Sequence, residues 1–97
     1  MLEEVISAMR IQEKGIYLDA TFGRGGHSTR ILAEIDKQSL LIAMDRDLEA
    51  INYAKTNFTD NRLKIFHANF KNIKDVLNKL DLYGKIDAIL LDLGISS

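Results

Sequence analysis

The sequence predicts an α/β domain in which helices cover a parallel sheet, and three observations predict it. Extended and helical patterns alternate along the chain, a glycine-rich turn separates the first strand from a helix, and the last strand is almost continuously apolar, as strands buried on both faces are. A length of 97 residues suffices for one domain, taken here as residues 1–97, and 46% hydrophobic content against 28% charged is that of an ordinary globular chain. There is no internal repeat, low-complexity segment or linker to divide it.

Leu2, Val5, Ile6 and Met9 open the chain with a spacing that puts four apolar side chains on one helix face, and Gly15 ends that stretch. Ile16 to Asp19 reads as a short strand, Ala20 to His27 as a loop, and Ser28 to Ile35 as a helix that buries Ile31, Leu32 and Ile35. A second strand, Leu40 to Met44, runs into Asp45. Asp47 is placed to cap the next helix, whose Leu48, Ile51 and Ala54 are expected to face the sheet. Leu63 to Ala68 is the third strand, and Asn72 the expected cap of a helix with Ile73, Val76, Leu77 and Leu80 on one face. The last strand, Ile86 to Leu91, stops at Asp92-Leu93-Gly94.

Composition narrows the function. No apolar run approaches the length of a membrane helix and Met1-Leu2-Glu3-Glu4 is acidic where a signal peptide is basic, so a cytoplasmic protein is expected. The lack of cysteine removes disulfides and thiolate metal sites, and two histidines, His27 and His67, are too few for a zinc cluster, so no metal is expected. With net charge −1 and no basic run, the footprint of a nucleic-acid surface is missing; if the substrate is a nucleic acid, most of its binding surface lies elsewhere.

The most informative segment is Asp19-Ala20-Thr21-Phe22-Gly23-Arg24-Gly25-Gly26-His27, an acid at a strand end and three glycines before a helix. Glycines let the backbone approach a ligand and take positive φ, while the helix start offers N–H groups, a geometry suited to a nucleotide-like cofactor. A tight turn without ligand is the plainer alternative. A dinucleotide fingerprint G-x-G-x-x-G fails: counted from Gly23 its third glycine would be Ser28, and counted from Gly25 its second would be His27. What fits is acid, three residues, Gly, any residue, Gly, from Asp19 through Gly23 to Gly25, which looks like the first motif of Rossmann-like methyltransferases. That likeness implies a loop holding the methionine part of S-adenosylmethionine, with Asp19 facing its ammonium; a solvated strand-end carboxylate is the alternative.

Asp45 ends the second strand, where such folds place an acid that accepts from both ribose hydroxyls; Asp47 is better placed for capping. Asn69 and Phe70, after the third strand, supply an amide and a ring where adenine contacts are expected, the alternative being a core phenylalanine. Asp92, at the carboxyl end of the fourth strand, lies in the crevice where open α/β sheets bind ligands, with a structural cap as its alternative. Arg24 and His27 are candidates for contact with ligand or RNA, though such loop residues more often face solvent.

Taken together, Asp19 to Ser28, Met44-Asp45-Arg46-Asp47 and Leu90 to Ser97 resemble the ribosomal RNA small-subunit methyltransferase H family, also called MraW, over nearly the whole chain. The resemblance implies a truncated Rossmann-like class I methyltransferase fold, a parallel sheet of about four strands ordered 3-2-1-4. It implies an enzyme that uses S-adenosylmethionine to methylate the exocyclic amine of a cytosine in small-subunit ribosomal RNA. Its cofactor contacts carry over to Gly25, Gly26, His27, Asp45, Phe70 and Asp92.

A histidine-containing segment before the first helix and a Pro-Gln pair after Ser96-Ser97, both expected of the family, are absent, as are later strands and an inserted helical domain. The chain therefore reads as a fragment, expected to be inactive alone. Many amine methylators carry D/N-P-P-Y/F after the fourth strand; here Asp92-Leu93-Gly94-Ile95 stands there, and the proton acceptor is left unassigned. Two other readings stay open: a fragment of a nicotinamide-dependent oxidoreductase, and a self-associating truncated fold without ligand. An exposed fourth strand, Ile86 to Leu93, invites pairing with a second copy as a homodimer.

Overall fold

The computed structural model describes residues 13–20 and 25–90. The expected opening helix, Gly23, Arg24 and the segment from Leu91 to Ser97, with Asp92, lie outside the described residues. The elements run β1 (Ile16–Asp19), α1 (Gly26–Glu34), β2 (Leu40–Asp45), α2 (Leu48–Asn57), β3 (Leu63–His67), a 3-10 turn (Phe70–Asn72), α3 (Ile73–Lys79) and β4 (Ala88–Leu90). The four strands form one parallel sheet in the order β3-β2-β1-β4, as expected.

Alternation along the strands sorts their side chains between two layers. Tyr17, Leu41, Ala43 and Leu63 pack with Ile31, Leu32 and Ile35 of α1 and Ala54 of α2 on one face. Leu18, Ile42 and Met44 pack with Val76 and Leu77 of α3 on the other. β1 and β2 are thus covered on both sides, which is why their sequences are apolar at consecutive positions. Each fully buried aliphatic side chain, such as Ile31 or Ile42, contributes about 1.5–3 kcal/mol relative to exposure.

The amino-terminal edge of the sheet is tied by polar side chains. Asp36 accepts from the amides of Lys14 (3.1 Å) and Gln38 (3.0 Å) and from the Ser39 hydroxyl (2.8 Å), whose oxygen in turn accepts from the Gly15 amide (3.0 Å). Arg62 reaches from the start of β3 to the end of α1, donating to the Ile35 carbonyl (2.8 Å) while its Nη2 pairs with Asp60 at 2.6 Å. Gly15 is required where Tyr17 folds back over it, because a β-carbon there would overlap the tyrosine ring.

Four expectations need correction. Leu48 does not face the sheet: it is 54% exposed at the first turn of α2, and Ala50, Ile51 and Ala54 make the buried face instead. Asn72 holds the cap position of α3 without a side-chain bond to the helix. Helix α1 starts at Gly26, two residues before Ser28, and ends at Glu34, one before Ile35. β4 starts at Ala88 and not at Ile86, and its Ile89, beside Leu18 in register, is 46% exposed, while α3 packs on Leu18, Ile42 and Met44.

Candidate functional site

Parallel pairing brings the strand ends named by the sequence to one edge. Asp19 lies in register with Ala43 of β2 and Leu90 of β4, and Asp45 with His67 of β3. Asp19, Asp45 and His67 alternate onto the face that carries α1 and α2. The sheet reverses direction of growth between β1 and β4, so this edge is the place where open α/β sheets bind ligands.

At the end of β1, Asp19 is fully buried and its Oδ2 accepts from the Ser28 hydroxyl at 2.7 Å. Ser28 is fully buried too, in the first turn of α1. Gly25 caps that helix with φ 86° and ψ 17°, a left-handed conformation that a glycine takes without steric cost. Having no side chain, Gly25 leaves the helix start without a side-chain cap, and a β-carbon on the exposed Gly26 would meet nothing within 4 Å. The helix start thus presents an exposed glycine with open space around it, next to a buried carboxylate. His27 follows, half-buried.

At the end of β2 two acids divide the work. Asp47 caps α2, its Oδ1 accepting from the Glu49 amide at 2.9 Å, as expected. Asp45, half-buried, accepts through Oδ1 from the Asp47 amide at 2.8 Å and through its carbonyl from the Ala68 amide at 3.0 Å. The carboxylate is therefore held at the strand end and not spent on capping the helix. His67 Nε2 lies 3.0 Å from the Arg46 carbonyl, and since a carbonyl only accepts, that nitrogen carries the proton.

The chain after β3 turns immediately. Asn69 Oδ1 accepts from the Lys71 amide at 2.9 Å, closing the turn that begins at Phe70. The Phe70 side chain lies outside what is described, so its backbone alone is placed beside this edge. Of the residues singled out by sequence, the structure brings Asp19, Gly25, Gly26, His27 and Asp45 to one edge. Sequence reasoning missed Ser28 as the partner of Asp19 and His67 as the partner of Arg46. A serine in the first turn after a glycine loop was a readable signal for the first; the second pairs residues 21 apart and left none.

The displaced acidities sit at the opposite edge. The Ser39 hydroxyl and then the Lys14 amide hold the Asp36 carboxyl below its ordinary range, and the Arg62 guanidinium does the same for Asp60. These groups fix the scaffold and lie away from the candidate site. Among the described residues no three His, Asp or Glu side chains cluster as metal ligands, and no helix is long and apolar enough to cross a membrane.

The model of the MraW methylase family matches residues 1–97. The ribosomal RNA small subunit methyltransferase H of Pseudoalteromonas atlantica is 50% identical over the whole chain, which spans 31% of that protein. The protein of the same name from Ruthia magnifica is 50% identical, again over the whole chain and 32% of its own length. The chain thus spans about a third of the relatives it matches. Among solved structures, a candidate rRNA-methylase from Clostridium thermocellum superposes with TM-score 0.67 at 18% identity, covering 76% of this chain and 43% of that one, a likeness of fold.

Proposed function

Because this chain belongs to the MraW methylase family, we propose that it forms the cofactor-binding part of an S-adenosylmethionine-dependent methyltransferase, and that the protein carrying it methylates the exocyclic amine of a cytosine in small-subunit ribosomal RNA. Membership in a methylase family also removes the support for a nicotinamide-dependent oxidoreductase, which the failed dinucleotide fingerprint had already weakened.

The observation that carries the cofactor reading is the placement of Asp45 at the carboxyl end of β2, on the same face and edge as the glycine turn after β1. The donor set fits the cofactor. A carboxylate accepts from the two ribose hydroxyls, and the absence of side chains at Gly25 and Gly26 lets the methionine part come close to the helix start; Gly23 is assigned to the same loop by its place in the motif. His27 borders that loop, and we assign Phe70 to the adenine ring and Asp92 to cofactor contact from their places in the family's motifs. Asp19, buried beneath the turn, acts by holding Ser28 and hence the helix start, and its charge favours an ammonium above it.

When bound, the cofactor supplies an electrophilic sulfonium methyl. The protein must align a weakly nucleophilic amine with it, since the cytosine lone pair is delocalised into the ring, and must accept a proton. The residues assigned here bind and orient. The remaining two-thirds of the relatives' length is where we place the RNA surface, consistent with the chain's net charge of −1.

Calorimetric titration of the protein with S-adenosylmethionine, with NAD as control, tests this reading. Selective binding of S-adenosylmethionine that weakens by about 10- to 100-fold in Asp45→Ala, the worth of hydrogen bonds to a charged group, is the expected result. Equal affinity of parent and variant, or preference for NAD, would overturn it.

A further inference from the structure

We infer that His67 is a positioning residue for Asp45, acting through the single peptide unit that joins Arg46 to Asp47. The inference rests on the reading of Asp45 as the acceptor of the ribose hydroxyls and extends it to a residue that touches no ligand.

The geometry is a chain of two hydrogen bonds with a rigid plate between them. His67 Nε2 donates to the Arg46 carbonyl at 3.0 Å. That carbonyl and the Asp47 N–H belong to one planar amide, so holding one end sets the direction of the other. The Asp47 N–H donates to Asp45 Oδ1 at 2.8 Å. An imidazole on β3 therefore orients the donor that holds the carboxylate on β2. The register makes this possible: Asp45 and His67 are paired across the two strands, so their side chains leave the sheet on the same face.

The strand ladder alone does not do this. The Ala68 amide fixes the carbonyl of Asp45 at 3.0 Å, but the next peptide plane has left the sheet, with Arg46 and Asp47 both exposed. In a water-accessible turn that plane has rotational freedom which the imidazole removes. Because His67 is itself exposed, water competes for its bond to the Arg46 carbonyl, and the contribution is modest.

The test is a double-mutant cycle read by calorimetry with S-adenosylmethionine. His67→Val keeps a residue suited to a strand end and removes the donor; His67→Gln returns an N–H on a side chain of similar reach. Loss of one such hydrogen bond predicts about three- to tenfold weaker binding in His67→Val, with melting temperature near the parent's. His67→Gln should recover most of that loss. In an Asp45→Ala background, titrated at millimolar cofactor, exchanging His67 for Val should change nothing further, because the carboxylate it positions is gone. Parent-like binding in His67→Val, or a penalty that persists undiminished without Asp45, would overturn the inference while leaving the role of Asp45 intact. Failure of the parent to bind S-adenosylmethionine would instead remove the reading on which it rests, and the inference with it.

Discussion

The Ser28 hydroxyl donates to Asp19 Oδ2 at 2.7 Å, and both residues are fully buried. This bond joins the last residue of β1 to the first turn of α1, so the helix start is anchored to the strand end from inside the fold.

Ser28→Ala should therefore cost about 1–3 kcal/mol, because a buried oxygen of Asp19 loses its hydroxyl donor. Urea denaturation of parent and variant measures it. Ser28→Thr, which keeps the hydroxyl but adds a methyl to a buried site, separates loss of the bond from simple misfit: it should retain more stability than Ala if the bond dominates.

Asp45 and Asp47, two residues apart, should respond differently to the same truncation. Asp47→Ala removes the Oδ1 that accepts from the Glu49 amide and should lower stability by about 1 kcal/mol, as loss of a helix cap does. Its backbone N–H still reaches Asp45, so affinity for S-adenosylmethionine should stay within about twofold. Asp45→Ala should reverse the pattern, with the larger effect on affinity. Equal losses of affinity in both variants would mean that the acids act as one unit.

The sequence announced these acids because both stand at a strand-to-helix junction, where an acid has few uses. It announced the order of the four strands less directly, through likeness to a family, since alternating patterns define neighbours in sequence and not in the sheet. Its errors are instructive. Leu48 fits the helical spacing of Ile51 and was expected in the core, but at the first position of α2 the chain has barely left the sheet edge, and Ala50 takes the buried face. Asn72 is a good capping residue by type, yet Asn69 closes the preceding 3-10 turn, and Asn72 Oδ1 faces the Asn69 amide, 3.4 Å away. The pairing of His67 with Arg46 depends on strand register, which no local pattern specifies.

Gly15 offers a prediction about shape. A β-carbon there would overlap the Tyr17 hydroxyl and ring, and Tyr17 is fully buried, with no room to swing away. Gly15→Ala should cost about 1–3 kcal/mol, as overpacking does, measured by thermal melting. Tyr17→Phe removes the atom nearest the added methyl, so the Gly15→Ala penalty should shrink in that background. Strict additivity of the two changes would show that the loss comes from elsewhere.

Acid should expose the polar tie at the amino-terminal edge. Arg62 donates to Asp60 through Nε at 2.9 Å and through Nη2 at 2.6 Å, and this holds the Asp60 carboxyl below its ordinary value of 3.8. A carboxyl whose folded value is depressed stabilises the fold fully above its unfolded value, and that contribution is lost as pH falls through the lowered one. Arg62→Gln should thus cost about 1 kcal/mol at neutral pH from this partly exposed pair. The gap between parent and variant should hold constant down to about pH 5 and narrow below 3.8 as Asp60 takes its proton. It should not close fully, because Arg62 also donates to the Ile35 carbonyl, a bond that does not titrate with the carboxylate. Asp36, held down first by the Ser39 hydroxyl, also feels the Arg62 charge, so the comparison is made in an Asp36→Asn background, where Asp60 alone supplies the pH dependence. Urea midpoints measured from pH 7 to pH 2 read the curve directly. A gap independent of pH would show that Arg62 works through the Ile35 carbonyl alone and that its pairing with Asp60 adds nothing to stability.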